Sequence, residues 1–141
     1  MVTFLCIENA FILLIISILH FFWAFGGRWG MAQSLPTNAE GERVLNPSLA
    51  ACFVVALALL ATSVYFLILP KIINFQLPNM LLQYGNWAIG LAFFARSIGD
   101  FRYVGFSKKI ENTDFAILDT RYYSPLCVYL AINCGLIAFF I

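Results

Sequence analysis

Four long apolar blocks restrict the folds that this sequence can adopt. They cover residues 2–25, 47–69, 78–98 and 125–141. As helices, the first block would be about 36 Å long and the last about 25 Å, against a hydrocarbon core of about 30 Å. Backbone polar groups in lipid must be bonded within the segment itself, so each block predicts a transmembrane helix.

The amino-acid composition supports this fold class. Hydrophobic residues make up 62% of the 141 residues and charged residues 11%, whereas a typical soluble domain is about 25% charged. We therefore expect an all-α chain, a single domain over residues 1–141. The predicted architecture is an integral membrane four-helix bundle with a structured charged loop between helices 3 and 4.

Local signals predict where these helices begin and end. Asn46 is expected to cap the second helix, and Gly99 to end the third. Ser124 is expected to cap the fourth helix. Thr113 is expected to cap a separate short helix over residues 113–121, which would lie among the lipid headgroups.

Basic residues in the loops predict the orientation of the chain. Seven Lys and Arg side chains fall in or beside the loops after helices 1 and 3, against Lys71 alone on the other side. The positive-inside rule therefore places loops 1 and 3 in the cytoplasm and both termini outside, in a plasma (inner) membrane that the chain crosses several times. This rule accounts for Lys108 and Lys109 without any further role.

Charge is concentrated in one stretch of the sequence. Residues 96–121 hold nine of the 15 charged residues, and acids contribute little to orientation. Asp100 lies two residues before Arg102. Asp119 stands in the same relation to Arg121. Ion pairs of this kind are expected to hold the loop against the end of the helix bundle.

A candidate binding site follows from this topology, because the ends of helices 1 and 3 and the start of helix 4 share one face of the membrane. His20 lies about 9 Å inside the cytoplasmic end of helix 1, on one helical face with Trp23. A rim of arginines above a single histidine suits the anionic head of an amphiphile. The candidate binding residues are His20, Trp23, Arg28, Arg96, Asp100, Arg102, Asp119 and Arg121.

Three functions remain open at this point. The first is binding of an anionic amphiphile, such as a lipid or isoprenoid head group, at the cytoplasmic mouth of the bundle. The second is a membrane-embedded enzyme that uses His20 as acid/base beside the Arg/Asp cluster. The third is a structural or channel-like subunit. For His20 and Trp23, hydrogen-bonded packing and anchoring at the membrane interface are the plain alternatives.

No motif in the sequence predicts a cofactor or a metal site. The four cysteines form no C-x-x-C motif, there is one histidine, and there is no nucleotide-binding fingerprint. The net charge of +1 gives no field that would attract a nucleic acid. The expected partners are the lipid bilayer and an anionic lipid or amphiphile. Ala131 and Gly135 form a small-residue face that would let copies of the chain associate.

Three sequence segments carry a resemblance: HFFWAFGGRWG from His20, GDFRYVGF from Gly99 and TDFAILDTRYYSPLC from Thr113. They resemble the repeated blocks of a family of small bacterial membrane proteins, domain-of-unknown-function family 3995. The resemblance covers most of the chain and implies four transmembrane helices and no known activity. Ser107 departs from the family pattern, which has an aromatic residue there. The matching residues are His20, Trp23, Gly26, Gly27, Arg102, Gly105, Phe106, Phe115, Asp119, Tyr123, Ser124, Pro125 and Cys127.

Overall fold

Five helices make up the regular structure of the chain in a computed structural model that describes residues 1–141. They are α1 (Val2–Ala24), α2 (Met31–Ser34), α3 (Leu49–Ile68), α4 (Asn79–Ile98) and α5 (Asp114–Phe140). The middle of α5 is a π-helical segment, Asp119–Tyr123, between α-helical parts on both sides. There is no strand, only an isolated bridge between Thr37 and Arg43. The all-α prediction is confirmed.

Contacts between residues group the chain into two units. The first unit consists of Met1–Arg28, Pro47–Trp87 and Asn133–Ile141. The second unit consists of Trp29–Asn46 and Ala88–Ile132. The unit boundaries therefore fall within α4 and within α5, and the single domain expected from the sequence remains a prediction.

Three helices are long and apolar enough to cross a membrane, judged by length and composition. They are α1, α3 and the 27 residues of α5. Helix α4 has 20 residues and nearly the predicted bounds, but Gln83, Asn86 and Arg96 interrupt its apolar sequence. Three of the four predicted spans thus have the required length and composition, and the fourth span remains a prediction.

Helices α1 and α3 pack together in the first unit along a face of small and polar residues. Ser17 Oγ donates a hydrogen bond of 2.8 Å to the carbonyl of Ala56, and Ser63 Oγ donates one of 2.7 Å to the carbonyl of Ala10. All four residues are buried. Small side chains let the helices approach closely, and each buried hydroxyl has its acceptor on the neighbouring helix.

The opposite face of α1 is apolar and exposed. Phe4 and Phe11 are each 63% exposed, and Ile18 is 58% exposed. A helix that buries Asn9 and Ser17 and exposes Phe4 and Phe11 reverses the usual arrangement of a soluble protein. An apolar surface of this extent fits a lipid surrounding.

The start of α3 differs from the prediction by two residues. Ser48, and not Asn46, caps the helix, because Ser48 Oγ accepts the N–H of Ala51 at 3.1 Å. Serine and asparagine are equally good caps, so composition alone does not decide between them.

In the second unit, the chain after α4 turns back on itself between two glycines. Gly99, the predicted end of the third helix, has a φ of +87°, and Gly105 has a φ of +82°. The N–H of Phe106 donates to the carbonyl of Ser97 at 2.8 Å. A Cβ on Gly105 would overlap the carbonyl of Ile98, and a Cβ on Gly99 would overlap the backbone beside Gly105. Glycine is therefore required at both positions.

Helix α5 begins earlier than the predicted fourth helix. Thr113 caps it as predicted, with Thr113 Oγ1 accepting the N–H of Ala116 at 3.2 Å. The prediction of Ser124 as a cap is wrong, because Ser124 lies inside the helix with φ −68° and ψ −43°. The short helix expected over residues 113–121 is not separate, since its residues form the first turns of α5.

The π-helical segment explains how α5 continues past Pro125. Proline has no N–H, and inside an α-helix its ring collides with the carbonyl four residues earlier. Directly before Pro125, the N–H of Ser124 donates to the carbonyl of Asp119, five residues earlier. This π-type bond widens the helix where the proline ring needs room.

Replacing Gly105 by alanine tests the close approach of the two glycines. We expect the free energy of unfolding to fall by at least about 1–2 kcal/mol, the cost of the left-handed backbone alone, with the overlap at Ile98 adding to it. Gly135→Ala is the matched control, because a Cβ there meets nothing within 4 Å. Thermal unfolding in a mild detergent measures both variants, and an unchanged Tm for Gly105→Ala would contradict the close approach.

Candidate functional site

Asp119 is the charged group at the centre of the second unit. Its side chain is 0% exposed, and it is the first residue of the π-helical segment. Oδ1 accepts a hydrogen bond from Arg96 Nη2 at 3.0 Å. Oδ2 accepts from the N–H of Gly105 at 2.7 Å and from Lys108 Nζ at 3.2 Å. One carboxylate thereby joins the end of α4, the loop after it and the first turns of α5.

Lys108 is buried beside this carboxylate, with a side chain that is 2% exposed. Its ammonium group also donates to the carbonyl of Gly105 at 2.8 Å and to Thr120 Oγ1 at 2.6 Å. All three hydrogens of the ammonium group therefore have an acceptor. The sequence prediction gave Lys108 only a role in orientation. Its burial has no local signal in the sequence, where Lys108 and Lys109 stand side by side.

The predicted ion pair between Asp119 and Arg121 is wrong. Residues two apart on a helix point in different directions, so a helical Arg121 does not reach its neighbour's carboxylate. The partners of Asp119 are Arg96 and Lys108. The guanidinium of Arg121 lies over the ring of Tyr122 instead, 5.3 Å from the ring centroid.

The predicted ion pair between Asp100 and Arg102 is also wrong. Asp100 Oδ1 accepts three backbone N–H groups, those of Arg102, Tyr103 and Val104, at 3.0, 2.7 and 2.9 Å. Burial acts to raise the pKa of Asp100, and these N–H groups together outweigh it, so the pKa lies below its ordinary value. Asp100 therefore adds stability that is present above its ordinary pKa and is lost as the pH falls through the lowered value.

Two arginines of the second unit are exposed and have no carboxylate partner. Arg102 lies over the ring of Tyr103, 5.1 Å from the centroid, as Arg121 lies over Tyr122. Neither guanidinium has a carboxylate oxygen within 4.0 Å. A cation that stacks on an aromatic ring keeps its outward N–H groups available for an anion.

Three predicted binding residues belong to the first unit. His20 Nδ1 lies 2.9 Å from the carbonyl of Ile16, and because a carbonyl only accepts, Nδ1 carries the hydrogen. The ring packs edge-on against Trp23, with 4.9 Å between centroids. Arg28 is exposed. The bond of His20 lies within one helix, and its acid/base role remains a prediction.

Of the eight predicted binding residues, the structure brings three pairs into contact. They are Arg96 with Asp119, His20 with Trp23 and, through a backbone N–H, Arg102 with Asp100. Joint binding of a ligand by the whole set remains a prediction. The structure adds Lys108 and Thr120 to the surroundings of Asp119.

Two buried polar atoms of the second unit have no hydrogen-bond partner in the protein. They are Nη1 of Arg96 and Oγ of Ser124. Ser124 is 0% exposed. Buried polar atoms are nearly always bonded, so two unpartnered atoms in one region need an explanation.

The loop after α1 contributes a tight turn to the second unit. Asn38 Oδ1 accepts the N–H groups of Glu40 and Glu42 at 3.1 and 2.8 Å. A cleft of about 330 Å³ lies between this turn and the start of α5, with Arg43 and Thr113 among its lining residues. These hydrogen bonds join residues two and four positions apart, so neighbouring residues stabilise the turn.

The fold and its charged centre define an all-α chain with apolar helices joined by an ordered, charged loop. Residues 13–134 match the family described as Protein of unknown function (DUF3995), and the chain belongs to this family. Comparison with curated proteins and with solved structures found no match. The family resemblance inferred from three sequence segments is thereby confirmed, and it assigns no activity.

Replacing Asp119 by asparagine tests the charged centre. Two cations would lose their counterion, one of them fully enclosed, and we expect a loss of about 3–5 kcal/mol in the free energy of unfolding. Asp100→Asn makes the same chemical change at an exposed carboxylate whose partners are neutral N–H groups, so its loss should be much smaller. Thermal unfolding of both variants in detergent measures the difference, and equal losses would contradict a central role for Asp119.

Proposed function

We propose that this chain is a multi-pass membrane protein that binds the anionic head of an amphiphile, a lipid or isoprenoid, at the membrane surface. The observation that supports this proposal is the state of Arg102 and Arg121. Both are exposed, both stack on a tyrosine, and neither is neutralised by a carboxylate.

The division of the charges in the second unit supports a binding role over a purely structural one. Arg96 and Lys108 are bound to the buried carboxylate of Asp119, which orders the loop. Arg102, on the loop, and Arg121, in the π-helical segment of α5, make no ion pair with Asp119, and both side chains stay exposed. Arginine recognises phosphate and carboxylate groups through paired N–H donors. Basic side chains near an anionic membrane surface each add about 1 kcal/mol of attraction.

The proposal includes four transmembrane helices, with α4 as the third. Such a chain would have loops 1 and 3 on the same side, and the excess of Lys and Arg in those loops favours the cytoplasm. The exposed phenylalanines of α1 and the polar contacts between α1 and α3 support a lipid surrounding. The ordered loop of the second unit would then lie at the cytoplasmic headgroups.

Cysteine labelling tests the proposed orientation. The four native cysteines are replaced by alanine, and a single cysteine is introduced at exposed Asn74 or at exposed Asn112. We expect an impermeant maleimide to label Asn74→Cys in intact cells and Asn112→Cys only after lysis. The reverse pattern would overturn the orientation, and labelling of both in intact cells would overturn the four-span topology.

Native mass spectrometry of the purified protein tests anionic lipid binding. We expect phosphate-bearing lipid to remain bound to the native chain and to fall several-fold in the double variant Arg102→Gln/Arg121→Gln, because two donors to the headgroup are lost. Lys71→Gln, an exposed cation in the loop after α3, is the matched control and should retain its lipid. Equal retention in all three proteins would favour the structural-subunit alternative.

A further inference from the structure

Arg96 and Ser124 carry two buried atoms that no group of the protein bonds, Nη1 and Oγ. We propose that these two atoms form a binding subsite for a single anionic group, a phosphate or carboxylate. The proposal rests on the proposed function, since it names the residues that would recognise the head of the amphiphile. The subsite differs from the exposed side chains of Arg102 and Arg121, because its two donor atoms are buried in the second unit.

The balance of charge around Asp119 supports an anionic occupant. Two cations, Arg96 and Lys108, share one carboxylate, which leaves one formal positive charge in this cluster. Lys108 has acceptors for all of its N–H groups. We therefore assign the remaining positive charge to Arg96. Its Nη2 donates to Asp119, and its Nη1 is buried and has no acceptor. The Arg96 side chain is 36% exposed as a whole, but its Nη1 atom is buried without an acceptor, and an anion at Nη1 would supply one.

Asp119 connects Ser124 with Arg96, because its backbone carbonyl bonds the first and its side chain the second. The N–H of Ser124 donates to the carbonyl of Asp119, so Ser124 lies one π-helical turn beyond the partner of Arg96. Cys127, three residues further along α5, lies within electrostatic range of both Arg96 and Asp119. Ser124 stands between Asp119 and Cys127 along the helix, and we infer from this that it lies near the guanidinium of Arg96.

The chemistry of the two atoms selects the class of ligand. Nη1 of a guanidinium donates only, and a serine hydroxyl is able to donate as well. Two such donors, one of them on a cation, suit an oxyanion with at least two oxygens. Asp119 acts as a positioning residue, because its bond to Nη2 fixes the plane of the guanidinium.

Ser124→Ala separates binding from folding. Removing a buried hydroxyl that has no partner should leave the ligand-free protein as stable as before, or more stable. Removing a donor to a charged ligand should weaken binding roughly tenfold or more. Ser17→Ala is the matched control, because that hydroxyl bonds the carbonyl of Ala56 and should affect stability and not binding.

The test is a thermal-shift titration of the purified full chain in a neutral maltoside detergent. One arm adds dioctanoyl phosphatidylglycerol, with dioctanoyl phosphatidylcholine as its control. The other arm adds sodium phosphate, with sodium chloride at equal ionic strength as its control. A ligand that binds the folded state raises the Tm with its concentration, which gives an apparent Kd. Arg96→Lys, which keeps the positive charge and removes Nη1, is measured beside Ser124→Ala.

The outcomes separate the subsite from the proposed function. Phosphatidylglycerol binding that weakens about tenfold in Ser124→Ala and Arg96→Lys supports both. Binding that is unchanged in these variants but lost in Arg102→Gln/Arg121→Gln overturns the subsite and retains the proposed function. Binding of inorganic phosphate alone, weakened by Ser124→Ala, supports the subsite and overturns the amphiphile. No Tm shift with either anion overturns the subsite.

Discussion

The buried carboxylate of Asp119 is the interaction on which the ordered loop depends. Two segments of the second unit reach it: the end of α4 through Arg96, and the loop after α4 through the N–H of Gly105 and the side chain of Lys108. Apolar burial accompanies these charged contacts, because Phe115 and Ala116 at the start of α5 are 3% and 1% exposed. Electrostatic attraction is strong at such a site because water is excluded from the carboxylate. The same exclusion makes the removal of one partner costly.

Two features of the backbone allow these partners to meet at Asp119. The glycines at 99 and 105 let the chain return to the end of α4 so closely that a side chain at either position would collide with it. This return brings the N–H of Gly105 to Asp119 Oδ2. Downstream, the π-helical segment carries α5 past Pro125 without a break. Backbone geometry thus brings the loop against α4 and α5, and the ion pairs of Asp119 stabilise this arrangement.

Local patterns predicted the helices well and the charged contacts poorly. Apolar runs located α1, α3 and α4 to within about two residues, and the caps at Gly99 and Thr113 were confirmed, because these features depend on neighbouring residues. Asp119 does form ion pairs, but the sequence predicted Arg121 as its partner. Its true partners lie 23 and 11 positions earlier in the chain, and no local rule measures such distances. Lys108 was missed because a buried lysine has the same sequence signature as an exposed one.

The π-helical segment also fixes the length of the chain in this region. A π-helical turn holds one residue more than an α-helical turn, so the loss of any single residue between positions 119 and 123 would leave an ordinary α-helix. The part of α5 that follows would keep nearly the same orientation, because an α-type bond across four residues would replace the π-type bond across five. The ring of Pro125 would then meet the carbonyl four residues before it. Hydropathy alone would not register this change, which makes the spacing of Asp119, Ser124 and Cys127 the feature to compare among members of the family.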